Sequence, residues 1–505
     1  MERDKGNEAS GNPESGLAGG WSYTEEENRR ERLENLEELE WLLGECGHKA
    51  ELAGRSVPAE LLPAAFYREA LEGRRNRLDQ LRADPAGYRA EDFLRIKYEL
   101  RLLLKQLAGL LSCSDWPSPS LTRSPVKEQG INQAEEQNSY FRTDGSSLIE
   151  AYETAFLQEY YPMSEGARSR AQACLTSSGM KALEVALLLF RTMTDRPLPL
   201  YHQVGYYYEG ITLIRDLYPD ARAVTVEDIY AMLDRGEEMG CLLLEPGLTW
   251  PVHEGIDLDL LFRKLERHRQ SAPLFLIIDR TLTGMANPFF ERYADRMPGH
   301  VVLVSIESGI KYWQLGLELT NLGFLVLSGE PVAHPETEER LTHLMGVLTG
   351  VPDPALVWRL PRPSRSVLER RMERLARNTN VLYSFLQERM KEGRVSRLYH
   401  SVQAGQGLRA GREPWMGSLL YVQLPGVVHY HEYEELAKHW AETAEPALCI
   451  HQGGSFGFDT MRLAAVEESP ERGFNSALRL SVGRDTAEEL AAKLVWLDRM
   501  LPPGR

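Results

Sequence analysis

Two short apolar runs end beside residues that could do chemistry. PLFLIID (273–279) closes on Asp279, and HVVLVSI (300–306) is followed a few residues later by Lys311, in the stretch SIESGIKYWQLG. Upstream, LTSSGMKALEVALLLF sets Ser177, Ser178 and Gly179 immediately before a helix pattern that is apolar nearly all round. Backbone N–H groups at such a helix start bind phosphate, and glycine lets a ligand approach the chain closely. Taken singly, each has a plainer explanation. A strand-end aspartate is commonly a turn or cap residue, a loop lysine is commonly solvated, and Ser-Ser-Gly is an ordinary N-cap. Their order along the chain carries more: an anion cradle, then a strand-end carboxylate, then a strand-end amine.

These groups meet only if strands deliver them to one edge. After about Tyr140 the sequence alternates helix-length segments with nearly continuous apolar runs, adding CLLLE (241–245) and GFLVLSG (323–329) to the two already quoted. Runs apolar on both faces predict an α/β fold, with a mostly parallel central sheet covered by helices on both sides. In such a sheet ligands bind at the carboxyl ends of the strands, which puts Asp279 and Lys311 on the same edge. A long helical pattern, SVLERRMERLARNTNVLYSFLQERM, leads to strand candidates SLLYVQL and ALRLSVG. The chain closes with DTAEELAAKLVWLDRML, where Asp485 and Glu488 have capping-box spacing.

The expected organisation is a disordered polar tail over 1–22, an N-terminal helical segment over 23–112 and a Ser/Pro-rich linker over 113–139. A large α/β domain over 140–362 and a smaller C-terminal α+β domain over 363–505 follow. In the helical segment, ENLEELEWLLGE and FLRIKYELRLLLKQLAGLL repeat apolar residues at three and four spacings, and Pro58, Pro63 and Pro85 separate the pieces. These helices need a surface to cover, and the sequence does not say whose.

Composition narrows the partners. The 505 residues are 43% hydrophobic and 26% charged, as in a soluble globular protein, and the formal charge of -16 argues against nucleic acid. The first residues lack a signal-peptide pattern and no apolar run is long enough for a bilayer, so the expected location is the cytoplasm, away from membranes. Five scattered cysteines without a C-x-x-C fit neither a disulfide framework nor a zinc site, and they read as reduced packing residues.

The cofactor whose needs match the ordered groups is pyridoxal 5'-phosphate: an amine for a Schiff base, a carboxylate to keep the pyridine nitrogen protonated, and a phosphate anchor. From about Tyr140 onward the sequence resembles the pyridoxal-phosphate enzymes of cysteine and methionine metabolism, such as cystathionine gamma-synthase, the cystathionine lyases and methionine gamma-lyase. That resemblance implies a fold-type I pyridoxal-phosphate transferase. Tyr140-Phe141-Arg142 is similar to the family's Y-x-R, implying that Tyr140 and Arg142 reach the phosphate in a neighbouring subunit of a homodimer or homotetramer. Ser178-Gly179-Met180 matches the phosphate-binding S-G-M. Tyr208, with Tyr207 second, resembles the tyrosine that stacks on the cofactor ring. Asp279-Arg280-Thr281 is similar to D-N-T, which makes Asp279 the partner of the ring nitrogen and adds Thr281 to the cofactor site. Ser308-Gly309-Ile310-Lys311-Tyr312 looks like S-x-T-K-Y, implying Lys311 as the Schiff-base lysine and Ser308 as a phosphate ligand. Ser455 resembles a serine beside the substrate, and Arg479 the arginine that grips its α-carboxylate.

The departures are equally specific. Gly145-Ser146-Ser147 replaces N-P-T, Ile310 replaces a threonine, EPGLTW from Glu245 replaces E-S-P-T-N-P, and QLGLE (314–318) replaces G-G-H-S-D. The resemblance implies β/γ-elimination or γ-substitution on a small amino acid with a leaving group in its side chain. Racemisation, transamination or carbon-carbon bond formation on the same cofactor stays open, as does a non-catalytic regulator on the same fold.

Overall fold

The computed structural model describes residues 22–56, 64–84, 87–112, 147–194, 198–348, 350, 352, 359–402, 407–468 and 476–504. The 1–22 tail (except Ser22), the 113–139 linker, Tyr140, Arg142 and Cys113 lie outside the described residues.

Seven strands form the larger sheet: β1 (Ala171–Thr176), β2 (Leu200–Gln203), β3 (Arg222–Val224), β4 (Cys241–Leu244), β5 (Leu274–Asp279), β6 (Val301–Ser308) and β7 (Gly323–Ser328). Their order is β1-β7-β6-β5-β4-β2-β3. The run β6-β5-β4-β2-β3 is parallel, while β7 is antiparallel to both β1 and β6. Every residue of β4, β5 and β7 is buried. Alternate side chains feed different cores: Leu242, Leu244, Leu276 and Ile278 enter one cluster, while Cys241, Leu243, Phe275 and Ile277 enter the other. That two-sided burial is why the strands read as unbroken apolar runs. The chain thus has the mostly parallel, helix-flanked sheet that its sequence predicts.

A second sheet holds β8 (Arg397–His400), β11 (Leu419–Gln423), β12 (Ile450–Gln452), β13 (Met461–Val466) and β14 (Ala477–Ser481) in the order β12-β13-β14-β11-β8. The short strands β9 (Arg409–Ala410) and β10 (Glu413–Pro414) pair separately. A long helix, Arg365–Lys391, links the two sheets. The last helix, Ala487–Met500, begins one residue later than its expected cap. Thr486, not Asp485, accepts from the Glu489 amide, and the Glu489 carboxylate accepts from Thr486 N. Asp485 is buried and taken by Lys493, which leaves the capping role to the next hydroxyl.

Three N-terminal helices, α1 (Glu25–Ser56), α2 (Ala64–Ala83) and α3 (Ala90–Ser112), share a leucine-rich core. The surface they cover belongs to this same chain. Asn28, Glu31, Asn35 and Glu38 form a buried polar stripe along α1, at three and four spacings. Arg374, on the long helix, donates to Asn35 Oδ1 at 3.1 Å, and Arg377 pairs with Glu31 at 2.8 Å. Asn28 donates to Glu488 on the last helix at 3.0 Å. Among the described residues, no helix is long and apolar enough to cross a membrane, and Cys46, Cys174, Cys241 and Cys449 are free thiols.

Candidate active site

The carboxyl ends of β5 and β6 lie side by side, with Asp279 in register with Ile306. The turn that follows β6 carries Lys311. Parallel pairing therefore brings an acid and an amine separated in sequence to one rim.

Asp279 is 8% exposed. Its Oδ1 accepts from the Thr281 amide at 2.9 Å and its Oδ2 from the Tyr206 hydroxyl at 3.0 Å. Burial raises its pKa above the usual carboxylate range despite those two donors. Glu245, just beyond β4, is also buried, and burial together with the neighbouring Asp279 charge pushes it well up. Thr249 holds it, donating its amide to Oε2 at 3.1 Å and its hydroxyl to Oε1 at 2.8 Å.

The candidate anion cradle lies at the ends of β1, β5 and β6. Ser178 caps the helix Gly179–Thr192, its hydroxyl accepting from Lys181 N at 3.1 Å. The N-cap explanation of Ser-Ser-Gly holds, and the capping serine also brings Gly179 onto the strand rim. A Cβ on Gly179 would lie 3.0 Å from Cα and Cβ of Ser308, so only glycine allows this approach without displacing the strand end. Ser308 N donates to Thr281 Oγ1 at 3.1 Å. Ser178, Gly179, Thr281 and Ser308 thus converge, with half-buried Met180 beginning the helix beside them.

Lys311 is half-buried. Its Nζ donates to Ser455 Oγ at 2.7 Å and sits 5.0 Å from the centroid of the Phe456 ring. Burial, reinforced by the Arg479 charge, lowers its pKa to about 8. Arg479 lies mid-strand on β14, opposite Tyr421 of β11, and donates to the Gly454 carbonyl. Its Nε is buried without a partner among the described residues.

The tyrosines separate. Tyr208 is 63% exposed, with its hydroxyl on Glu209, and Tyr207 is half-buried. Tyr206 is the one that reaches Asp279. The resemblance ranks Tyr208 first and Tyr207 second and does not single out Tyr206. Only the fold shows that the helix starts at Tyr208, leaving Tyr206 in the preceding turn after Gly205, whose φ is +86°. In the sequence Glu245 is visible only as part of a stretch that departs from the pattern the chain resembles.

The sheet order, the helices on both faces and the smaller second sheet define the class: this is the fold of the fold-type I pyridoxal-phosphate enzymes. Among solved structures, the chain is similar to metB from Corynebacterium glutamicum, with 19% identity and a TM-score of 0.51 over 71% of this chain and 86% of that one. It is also similar to cystathionine gamma synthase from Xanthomonas oryzae pv. oryzae, solved in complex with aminoacrylate and cysteine. There the identity is 17% and the TM-score 0.51, over 71% of this chain and 87% of the other. No protein-family model and no curated protein sequence matches the chain.

Proposed function

We propose that the protein is a pyridoxal-phosphate-dependent enzyme carrying out β/γ-elimination or γ-substitution on an amino acid whose side chain bears a leaving group. The observation that carries this reading is Lys311, a half-buried amine with pKa lowered to about 8, held by Ser455 on the rim that also presents Asp279. The residues fit the cofactor in two further ways. Gly179 and Ser308 approach as closely as glycine allows, leaving the amides of the helix start free of a Cβ, and Arg479 Nε is a buried donor with no partner among the described residues.

When bound, pyridoxal phosphate supplies an aldehyde for an amine and a protonated ring that withdraws electrons from the substrate's α carbon. The Gly179 and Met180 amides, Ser178, Thr281 and Ser308 would hold its phosphate at the start of a 14-residue helix, whose dipole favours an anion. Asp279 would accept a hydrogen bond from the protonated ring nitrogen. A cation there would pull its raised pKa back down, and Tyr206 and Thr281 fix its orientation. Arg479 pairs with the substrate α-carboxylate, for which its fork geometry is suited. Lys311, unprotonated in a sizeable fraction near neutral pH, takes the α-proton and returns it further along the side chain. Ser455 holds the amine in place. Arrangement as a homodimer or homotetramer, with Tyr140 and Arg142 reaching a neighbour's phosphate, belongs to the same proposal.

The test is fixation of the cofactor. Borohydride treatment of the purified protein with pyridoxal phosphate should attach it at Lys311, and Lys311→Ala should abolish attachment and lower turnover at least about 1,000-fold. O-acylhomoserine, cystathionine and cysteine are the substrates to assay for 2-oxo acid or replacement product. A wild-type protein that takes up no cofactor would remove the basis of this reading.

A further inference from the structure

The loop after Lys311 departs from the related sequences, and it is also where the N-terminal helices enter the site. QLGLE (314–318) folds back with positive φ at Leu315 (53°), Gly316 (76°) and Glu318 (43°), a conformation leucine and glutamate seldom adopt. Such a backbone persists only where its surroundings over-determine it. From within, Gln314 donates to the Gly309 and Thr320 carbonyls at 3.0 and 2.8 Å and accepts from the Leu319 amide at 2.7 Å. From outside, α3 does the rest. Lys97 Nζ donates to the Leu315 carbonyl at 2.5 Å, while Arg101 donates to those of Leu317 and Glu318. The side chains of Leu317 and Leu319 are buried in the core of α1–α3 itself.

Lys97 also reaches the opposite wall. Its ammonium donates to Asp459 Oδ2 at 2.6 Å, and Asp459 lies on the loop that carries Ser455. Arg371 pairs with Asp459 at 2.7 Å and donates to the Gly457 carbonyl at 2.9 Å. A Cβ on Gly457 would come within 2.9 Å of the Lys311 carbonyl carbon, so the two loops stand back to back. Neither contact depends on a side chain that the catalytic proposal uses.

We propose that the N-terminal helical unit is a clamp that positions the amine of Lys311: Lys97 and Arg101 hold the 314–318 backbone, and Lys97 fastens it to the loop bearing Ser455. Both are positioning residues, since neither touches the substrate or the reacting atoms. The inference rests on the catalytic reading for the meaning of Lys311, but the clamp itself is a property of the chain without cofactor.

The test uses the full chain as Lys97→Met, Arg101→Met and Arg101→Lys. Lys97, Arg371 and Arg484 face Glu38 and Asp459 in one buried cluster, so Lys97→Met leaves two cations against two anions and no uncompensated charge. Hydrogen exchange on cofactor-free protein reads the clamp directly. The amides of Leu315, Leu317 and Leu319 should exchange about tenfold faster or more in both Met variants, with β4–β6 unchanged. With cofactor, borohydride fixation at Lys311 should slow and its visible circular dichroism should change, and Arg101→Lys should restore part of both. Unchanged exchange in folded Lys97→Met, or in Arg101→Met should the first variant fail to fold, overturns the clamp. If exchange rises but wild type takes up no cofactor, the clamp stands and the catalytic reading falls.

Discussion

Two regions of this molecule solve the problem of buried polarity in opposite ways. At the rim of the large sheet, polar groups are few, each set at the end of an apolar strand and left partly unneutralised. Asp279 and Glu245 have raised pKa values and Lys311 a lowered one, each chiefly through burial. At the seam between α1–α3 and the rest of the chain, charges are many and ion-paired, with Lys97, Arg371 and Arg484 facing Glu38 and Asp459. Burial alone would raise the Glu38 and Asp459 carboxyls, yet Arg484, Lys97 and Arg371 outweigh it and hold both below the ordinary range. Perturbed groups cluster at functional sites, but buried ion-pair networks perturb them too, and burial lowers Lys97 in the seam as it lowers Lys311 on the rim. What sets the rim apart is that its perturbed groups have few oppositely charged partners, whereas those of the seam are ion-paired.

The largest effect should come from breaking compensation. Glu38→Gln leaves Asp459 alone against Lys97, Arg371 and Arg484, and removing one partner of a buried ion cluster costs about 3–5 kcal/mol. Urea unfolding should show it, with Arg55→Ala as the control, since the Arg55–Glu51 pair is 63% and 62% exposed and such pairs are worth at most about 1 kcal/mol. Acid should mimic the substitution. Both carboxyls have folded values below their unfolded ones, so their stabilisation is present above about pH 4 and is lost as pH falls through the lower folded values. Asp279→Asn should do the reverse. The fold keeps its stability, because a neutral side chain suits that buried position, while turnover falls about 100-fold to 1,000-fold with the loss of a preorganised charge. Parallel unfolding and activity measurements on the two variants would break the comparison if Glu38→Gln proved harmless to stability or Asp279→Asn harmless to turnover.

The same contrast explains what could be read in advance. Strands β4 to β7 announced themselves because two-sided burial writes a continuous apolar run, and with the strands came the sheet edge to which Asp279 and Lys311 belong. The tyrosine that bonds Asp279 was not legible, because YYY gives no register until the helix start at Tyr208 is known. The seam was harder still. Glu31, Asn35 and Glu38 on α1, and Arg371 and Arg374 on the long helix, look like solvated helix faces in sequence, since charged residues usually are exposed. Nothing local distinguishes a charged stripe facing water from one facing its complement hundreds of residues away.

The smallest predicted effect tests whether the rim charges act on one another as directly as those of the seam. Lys311 must lose its proton before it can add to an aldehyde, so reconstitution of cofactor-free protein with pyridoxal phosphate should accelerate as pH rises and level off above about 8. Burial is the larger cause of that lowered value and the Arg479 guanidinium the second. Arg479→Gln removes only the second, so the inflection should move upward without reaching that of a free lysine. Stopped-flow absorbance across pH would measure it in both proteins. An unmoved inflection would mean that water screens Arg479 from the amine, and the rim would then owe its perturbed chemistry to burial alone. A downward shift would run against the repulsion of two like charges and would mean that the substitution buries the amine more deeply, outweighing the lost Arg479 charge.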